Sequence, residues 1–144
     1  MSIPLNINLI IPFKDNKGDR LKSYRREIEG FRDALDLHVL KLKNDLTELF
    51  DSNFDLTLAA RSDGNSKKYY WRFKSSKRDR KYNRLSAESI KEYLSVFDHD
   101  QKIVLIELEQ ELIYVNANLK LVKGMLDSID QAMEESQSLL AEQL

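Results

Sequence analysis

The apolar positions of this chain change period along its length, and each change marks an element. Ile3, Leu5, Ile7, Leu9, Ile11 and Phe13 recur at every second residue, the period of a strand with one buried face, so a strand is expected over residues 3–13. Pro4 and Pro12 cannot donate to a ladder and place that strand at a sheet edge. Spacing by threes and fours then takes over. Leu21, Tyr24, Ile28, Phe31, Leu35, Val39, Leu42, Leu46 and Leu49 form one stripe, which predicts an amphipathic helix over 19–50 with Asp19 as its N-cap. Gly30 either weakens the interior of that helix or marks a close crossing by another.

After the breaker DSNF, alternation returns over 55–61 and again over 67–74, with Ser62-Asp63-Gly64-Asn65 between them. An Asp-Gly pair between two strand-like runs signals a β-hairpin. On the second run Lys68, Tyr70, Arg72 and Lys74 point one way while Tyr69, Trp71 and Phe73 point the other, giving one basic and one aromatic face. A basic turn, SSKRD, leads to a short third strand expected over 80–84, so that 55–84 forms a basic hairpin region. A short helix over 86–97 follows, capped by Ser86, with Ile90, Tyr93, Leu94 and Phe97 inward. Helical spacing resumes at Val104, Leu108, Val115, Leu119, Val122, Leu126, Ile129 and Met133, predicting a second long helix over 100–137 and a fraying tail. At 1.5 Å per residue the two long helices span on the order of 45 and 50 Å, and their stripes can bury against each other. The expected fold is therefore a single α+β domain, two long antiparallel helices (a helical hairpin) with an inserted small antiparallel β-sheet and short helix.

Charge alters this picture of a plain scaffold. The formal net charge is −1, yet residues 61–84 hold ten bases against two acids, a net +8, whereas residues 85–144 hold four bases against twelve acids. A cationic ribbon on an acidic scaffold is a surface for an anion, and nucleic acid is the usual candidate. Lys67, Lys68, Arg72, Lys74, Lys77, Arg78, Arg80, Lys81 and Arg84 are the candidate nucleic-acid contacts. Those of the second turn would hold phosphates, and Arg72 is placed to read a base edge, since a two-stranded ribbon fits the major groove of DNA. Trp71 either stacks on unpaired bases or, with Tyr69 and Phe73, forms the core face of the sheet; its place opposite the basic side favours the core. A structural alternative is that the ribbon folds back on the protein's own acidic helix, where surface pairs contribute little.

Catalytic patterns are missing from the sequence. It has no cysteine, two histidines, no Gly-rich phosphate loop and no HExxH, and Asp98-His99-Asp100 is better explained as helix capping than as a metal triplet. The expectation is a non-enzyme without metal or cofactor, with His38 a packing or surface residue. The absence of cysteine and of a basic n-region before the apolar start fits a cytoplasmic protein with no membrane partner.

The order of strand, turn, aromatic strand YYWRFK, basic turn SSKRDRK, short strand and helix SAESIKEYL resembles the three-stranded amino-terminal DNA-binding module of tyrosine-family phage integrases, over residues 55–97 only. That resemblance implies DNA contact by Arg72, Lys74 and the neighbouring bases, in a phage or integrative element; the whole chain also looks like small proteins carried by such elements. The expected function is a non-enzymatic DNA-binding accessory or regulatory protein, DNA being favoured over RNA, with a possible homodimer through apolar surface left on the long helices. The alternative is a protein-binding inhibitor, such as a phage anti-defence protein acting on a host defence complex through its acidic helix or its basic ribbon.

Overall fold

The structure, a computed structural model, describes residues 19–64, 66–75, 78 and 80–142. Its elements are α1 (Asp19–Leu49), β1 (Leu56–Asp63), β2 (Ser66–Phe73), α2 (Glu88–Leu94) and α3 (His99–Glu142). The fold is α+β, with two long helices and one short helix beside a two-stranded antiparallel sheet. The strand expected over residues 3–13 lies outside the described residues. Among the described residues no helix is long and apolar enough to cross a membrane. The chain falls into two compact units, one of Ala34–Lys120 and one that joins Met1–Asp33 to Leu121–Leu144.

The larger unit contains the hairpin and most of the core. Val39, Leu42, Leu46 and Phe50 from the α1 side are buried in one cluster with Leu56, Leu58, Tyr69, Trp71 and Phe73 from the sheet, Ile90 and Leu94 from α2, and Leu105, Leu108, Leu112, Val115 and Leu119 from α3. The α1 and α3 segments of this unit run antiparallel, since Phe50 after α1 meets Phe97 before α3 while His38 further back meets Glu111 further on. Phe50, Phe54, Tyr93 and Phe97 form an aromatic cluster at the end where α1 stops, with Phe50 and Phe54 stacked at 4.2 Å. Asp51 turns the chain there by accepting from the backbone N–H of Asn53 at 2.9 Å, the local competition with helix that short polar side chains offer.

In the smaller unit Leu21, Ile28, Val122, Leu126 and Ile129 are buried. Arg25 donates twice to Asp130, at 2.7 and 3.1 Å, across this unit. Gly30 does not mark a close crossing: a Cβ built on it meets nothing within 4 Å. Phe31 and Leu49, read from spacing as stripe members, lie at its edge and are about half exposed.

Local chemistry accounts for most boundaries. The hairpin connection is two residues long rather than the four expected, because the ladder continues to the pair Asp63 and Ser66. Gly64 has φ of 64°, the positive value that two-residue hairpin turns need to match strand twist. The third strand is reduced to one bridge, in which Trp71 and Asn83 exchange backbone hydrogen bonds of 2.9 Å each way. Ser86 does not cap α2; its N-cap is Ala87, which makes no side-chain bond. Asp98 caps α3 reciprocally with Gln101, accepting from its N–H at 2.8 Å while the Gln101 side chain accepts from the Asp98 N–H at 3.2 Å. The tail expected to fray is helical as far as Glu142.

Candidate nucleic-acid interface

The register fixes which side chains share a face. Leu56 and Phe73, and Leu58 and Trp71, are directly opposed and buried, and Tyr69 is buried on the same face opposite the exposed Ala60, whereas Thr57 and Arg72, Ala59 and Tyr70, and Arg61 and Lys68 are opposed on the other face. Trp71 is fully buried and Phe73 nearly so, which assigns the aromatic face to the core. The indole Nε1 is buried without a partner, a cost that burial of the ring outweighs.

Outside, cations alternate with tyrosines. Lys68 lies 5.6 Å from the Tyr70 ring centroid, Arg84 5.9 Å from the same ring and Arg72 5.0 Å from Tyr82. Tyr70 and Tyr82 meet edge to face at 6.0 Å. Small residues opposite the large ones, Thr57 and Ala59, leave this surface open on the β1 side.

The candidate contacts divide into two groups. Lys67, Arg78 and Arg84 are held by the protein's own carboxylates: Lys67 by Asp36 at 2.8 Å, Arg78 by Asp55 at 3.1 Å and Arg84 by Glu109 at 2.8 Å. Glu109 also accepts from the Leu85 N–H at 2.6 Å and is mostly buried, and Arg78 lies over the rings of Tyr93 and Phe73, so these cations brace the hairpin against α1, α2 and α3. Only Arg84 folds back on the acidic helix α3; Lys67 and Arg78 find their acids on α1 and just before β1. Lys68, Arg72, Lys74 and Arg80 make no ion pair with a described carboxylate, and Lys68, Lys74 and Arg80 are exposed. Arg72 donates from Nε to the Arg80 carbonyl at 2.8 Å, which fixes the guanidinium and leaves its Nη groups for a ligand. Lys81 is exposed in the loop that follows β2, and Lys77 lies outside the described residues.

Two features escaped sequence reading. Arg61 joins the outer face through its register with Lys68, a pairing invisible until the loop length is known. Asn116, the one buried polar residue among those described, accepts from the Tyr69 N–H at 2.8 Å and donates to the Tyr69 carbonyl at 2.9 Å. Those groups point away from β1, so Asn116 caps the outer edge of β2 as a neighbouring strand would, while Asn83 serves the edge at Trp71.

On the same side of the sheet Asp36 accepts from the Tyr69 hydroxyl at 2.7 Å and from Lys67 at 2.8 Å. Burial, then the bond to Asp36, raises the Tyr69 phenol above its usual value. For Lys67 burial lowers the ammonium, but bonds to Asp36 and Tyr69 outweigh it and the group ends above its usual value. His38 is a surface residue, 3.2 Å from Glu111. Among the described residues no three His, Cys, Asp or Glu side chains gather as metal ligands would. Comparison with protein-family models, curated proteins and solved structures gives no match.

Proposed function

We propose that the protein is a non-enzymatic DNA-binding accessory or regulatory protein of a phage or integrative element, acting in the cytoplasm through the outer face of the β1–β2 hairpin. The observation that carries this reading is the direct opposition of Arg61 and Lys68, with Lys74, Arg80 and the oriented guanidinium of Arg72 close by in sequence, none of them in an ion pair with a described carboxylate. Like charges directly opposite in a sheet are destabilising, by about 0.2–1 kcal/mol, and a polyanion removes that cost. Lysines and arginines neutralise phosphates with release of counterions, and Arg72 is presented for bidentate recognition at a base edge.

Fluorescence anisotropy with a labelled duplex tests this over a range of salt. Four phosphate contacts, by Arg61, Lys68, Lys74 and Arg80, predict that log K falls with log salt with a slope of about −3 to −4. A slope near zero, or no binding at low ionic strength, rejects the reading. Equal or tighter binding to RNA of the same sequence redirects it to RNA.

A further inference from the structure

A groove of about 760 Å³ lies on the larger unit, between α2 with the turn before it and the first four turns of α3. Its apolar lining includes Leu85, Leu94, Leu105, Ile106 and Ile113, and Ile106 and Ile113 are each about half exposed. Leu105 and Leu112 pack into the core from the adjoining face of α3, Leu105 also reaching the groove floor, so the apolar surface of this helix runs past its buried row to Ile106 and Ile113, which are left half exposed. A charged helix that exposes isoleucines one turn or two apart is arranged for contact rather than for solvent. The lining from Lys102 to Ile113 covers three turns, about 17 Å, the length over which an amphipathic helix presents anchors at i, i+3 or i+4, and i+7.

Charge identifies the occupant. Lys91 and Lys102 line the groove and make no ion pair with a described carboxylate, while the one carboxylate of the lining, Glu109, is already held by Arg84 and the Leu85 N–H. The accessible charge is positive over an apolar floor, which suits an apolar stripe flanked by carboxylates. A second copy of this chain suits it less well, because two-fold packing of α3 about Gln110 sets Glu107 against the copy's Ile113 and Glu111 against its Glu109. Nucleic acid offers no apolar stripe for the floor.

We infer that this groove docks an amphipathic, acidic helix of a partner protein, its apolar residues on Ile106 and Ile113 and its carboxylates on Lys91 and Lys102. The inference stands apart from DNA binding, which uses the outer face of the hairpin. The full chain is titrated with two labelled synthetic helical peptides of four turns that share one leucine stripe and carry either glutamate or lysine beside it. The glutamate peptide is expected to bind roughly tenfold or more tightly than the lysine peptide. Ile113→Asp should abolish binding while leaving the circular dichroism unchanged, since this side chain is half exposed. The double variant Lys91→Glu, Lys102→Glu should reverse the preference, an effect that loss of folding cannot produce. Equal affinity for the two peptides, or binding unaltered by both variants, overturns the inference. A dimer in sedimentation velocity that Ile113→Asp dissociates also overturns it, assigning the face to a second copy.

Discussion

Replacing Asn116 tests how the hairpin is held to α3. The side chain is buried and meets both backbone polar groups of Tyr69, at 2.8 and 2.9 Å. Asn116→Ala removes both partners and leaves a buried N–H and a buried carbonyl unmet, each costing about 1–3 kcal/mol. The expected loss is about 2–6 kcal/mol, a large share of the roughly 5–15 kcal/mol that stabilises a domain. Asn116→Leu separates this cause from simple loss of volume, because leucine fills the space but offers no polar atom. Urea unfolding followed by the fluorescence of Trp71, the only tryptophan and fully buried, measures both variants. Both are expected to fall by at least about 2 kcal/mol, with faster hydrogen exchange at the Tyr69 amide. If Asn116→Leu keeps wild-type stability, the edge-capping account is wrong.

Three further outcomes follow from other parts of the structure. Gly30→Ala and Gly124→Ala place a methyl in open space on a helix and should each raise stability, by up to about 1 kcal/mol, as read by urea midpoint. Because Tyr69 and Lys67 are both raised on folding, their contribution is fully present below their unfolded values, about 10 and 10.4, and is lost as pH climbs through the higher folded ones. Midpoints should therefore fall above about pH 10, and less steeply in Tyr69→Phe. Trp71→Ala should cost about 3–5 kcal/mol or prevent folding, measured by circular dichroism melting.

Much of this architecture is legible in the residues. The long helices follow from one apolar stripe each, and the two-faced hairpin from strict alternation between Lys67 and Lys74, which correctly sent Trp71, Tyr69 and Phe73 inward. Less was legible wherever the deciding partner is distant in sequence. Asn116 acts on a strand 47 residues away, and nothing in its helical neighbourhood signals an edge to cap. Glu109 and Asp36 each clamp a cation of the ribbon from a helix distant in sequence, so which of the nine candidates are held by the protein itself is not legible from their own neighbourhood. Leu105 and Leu112 sit between the chosen stripe positions of α3, and their burial widens its packed face beyond a single row. Hairpin register turned on one backbone angle, that of Gly64, and with it the placement of Arg61 opposite Lys68.

The division of the cations gives the most direct test of the DNA-binding proposal. Anisotropy at low salt compares two variants, one with Arg61, Lys68, Arg72, Lys74 and Arg80 changed to alanine and one with Lys67, Arg78 and Arg84 changed. The first should lose nearly all affinity for duplex while keeping its thermal midpoint; the second should lose stability, and any folded fraction should bind DNA almost normally. Unchanged affinity in the first variant would contradict the assignment of the outer hairpin face to DNA.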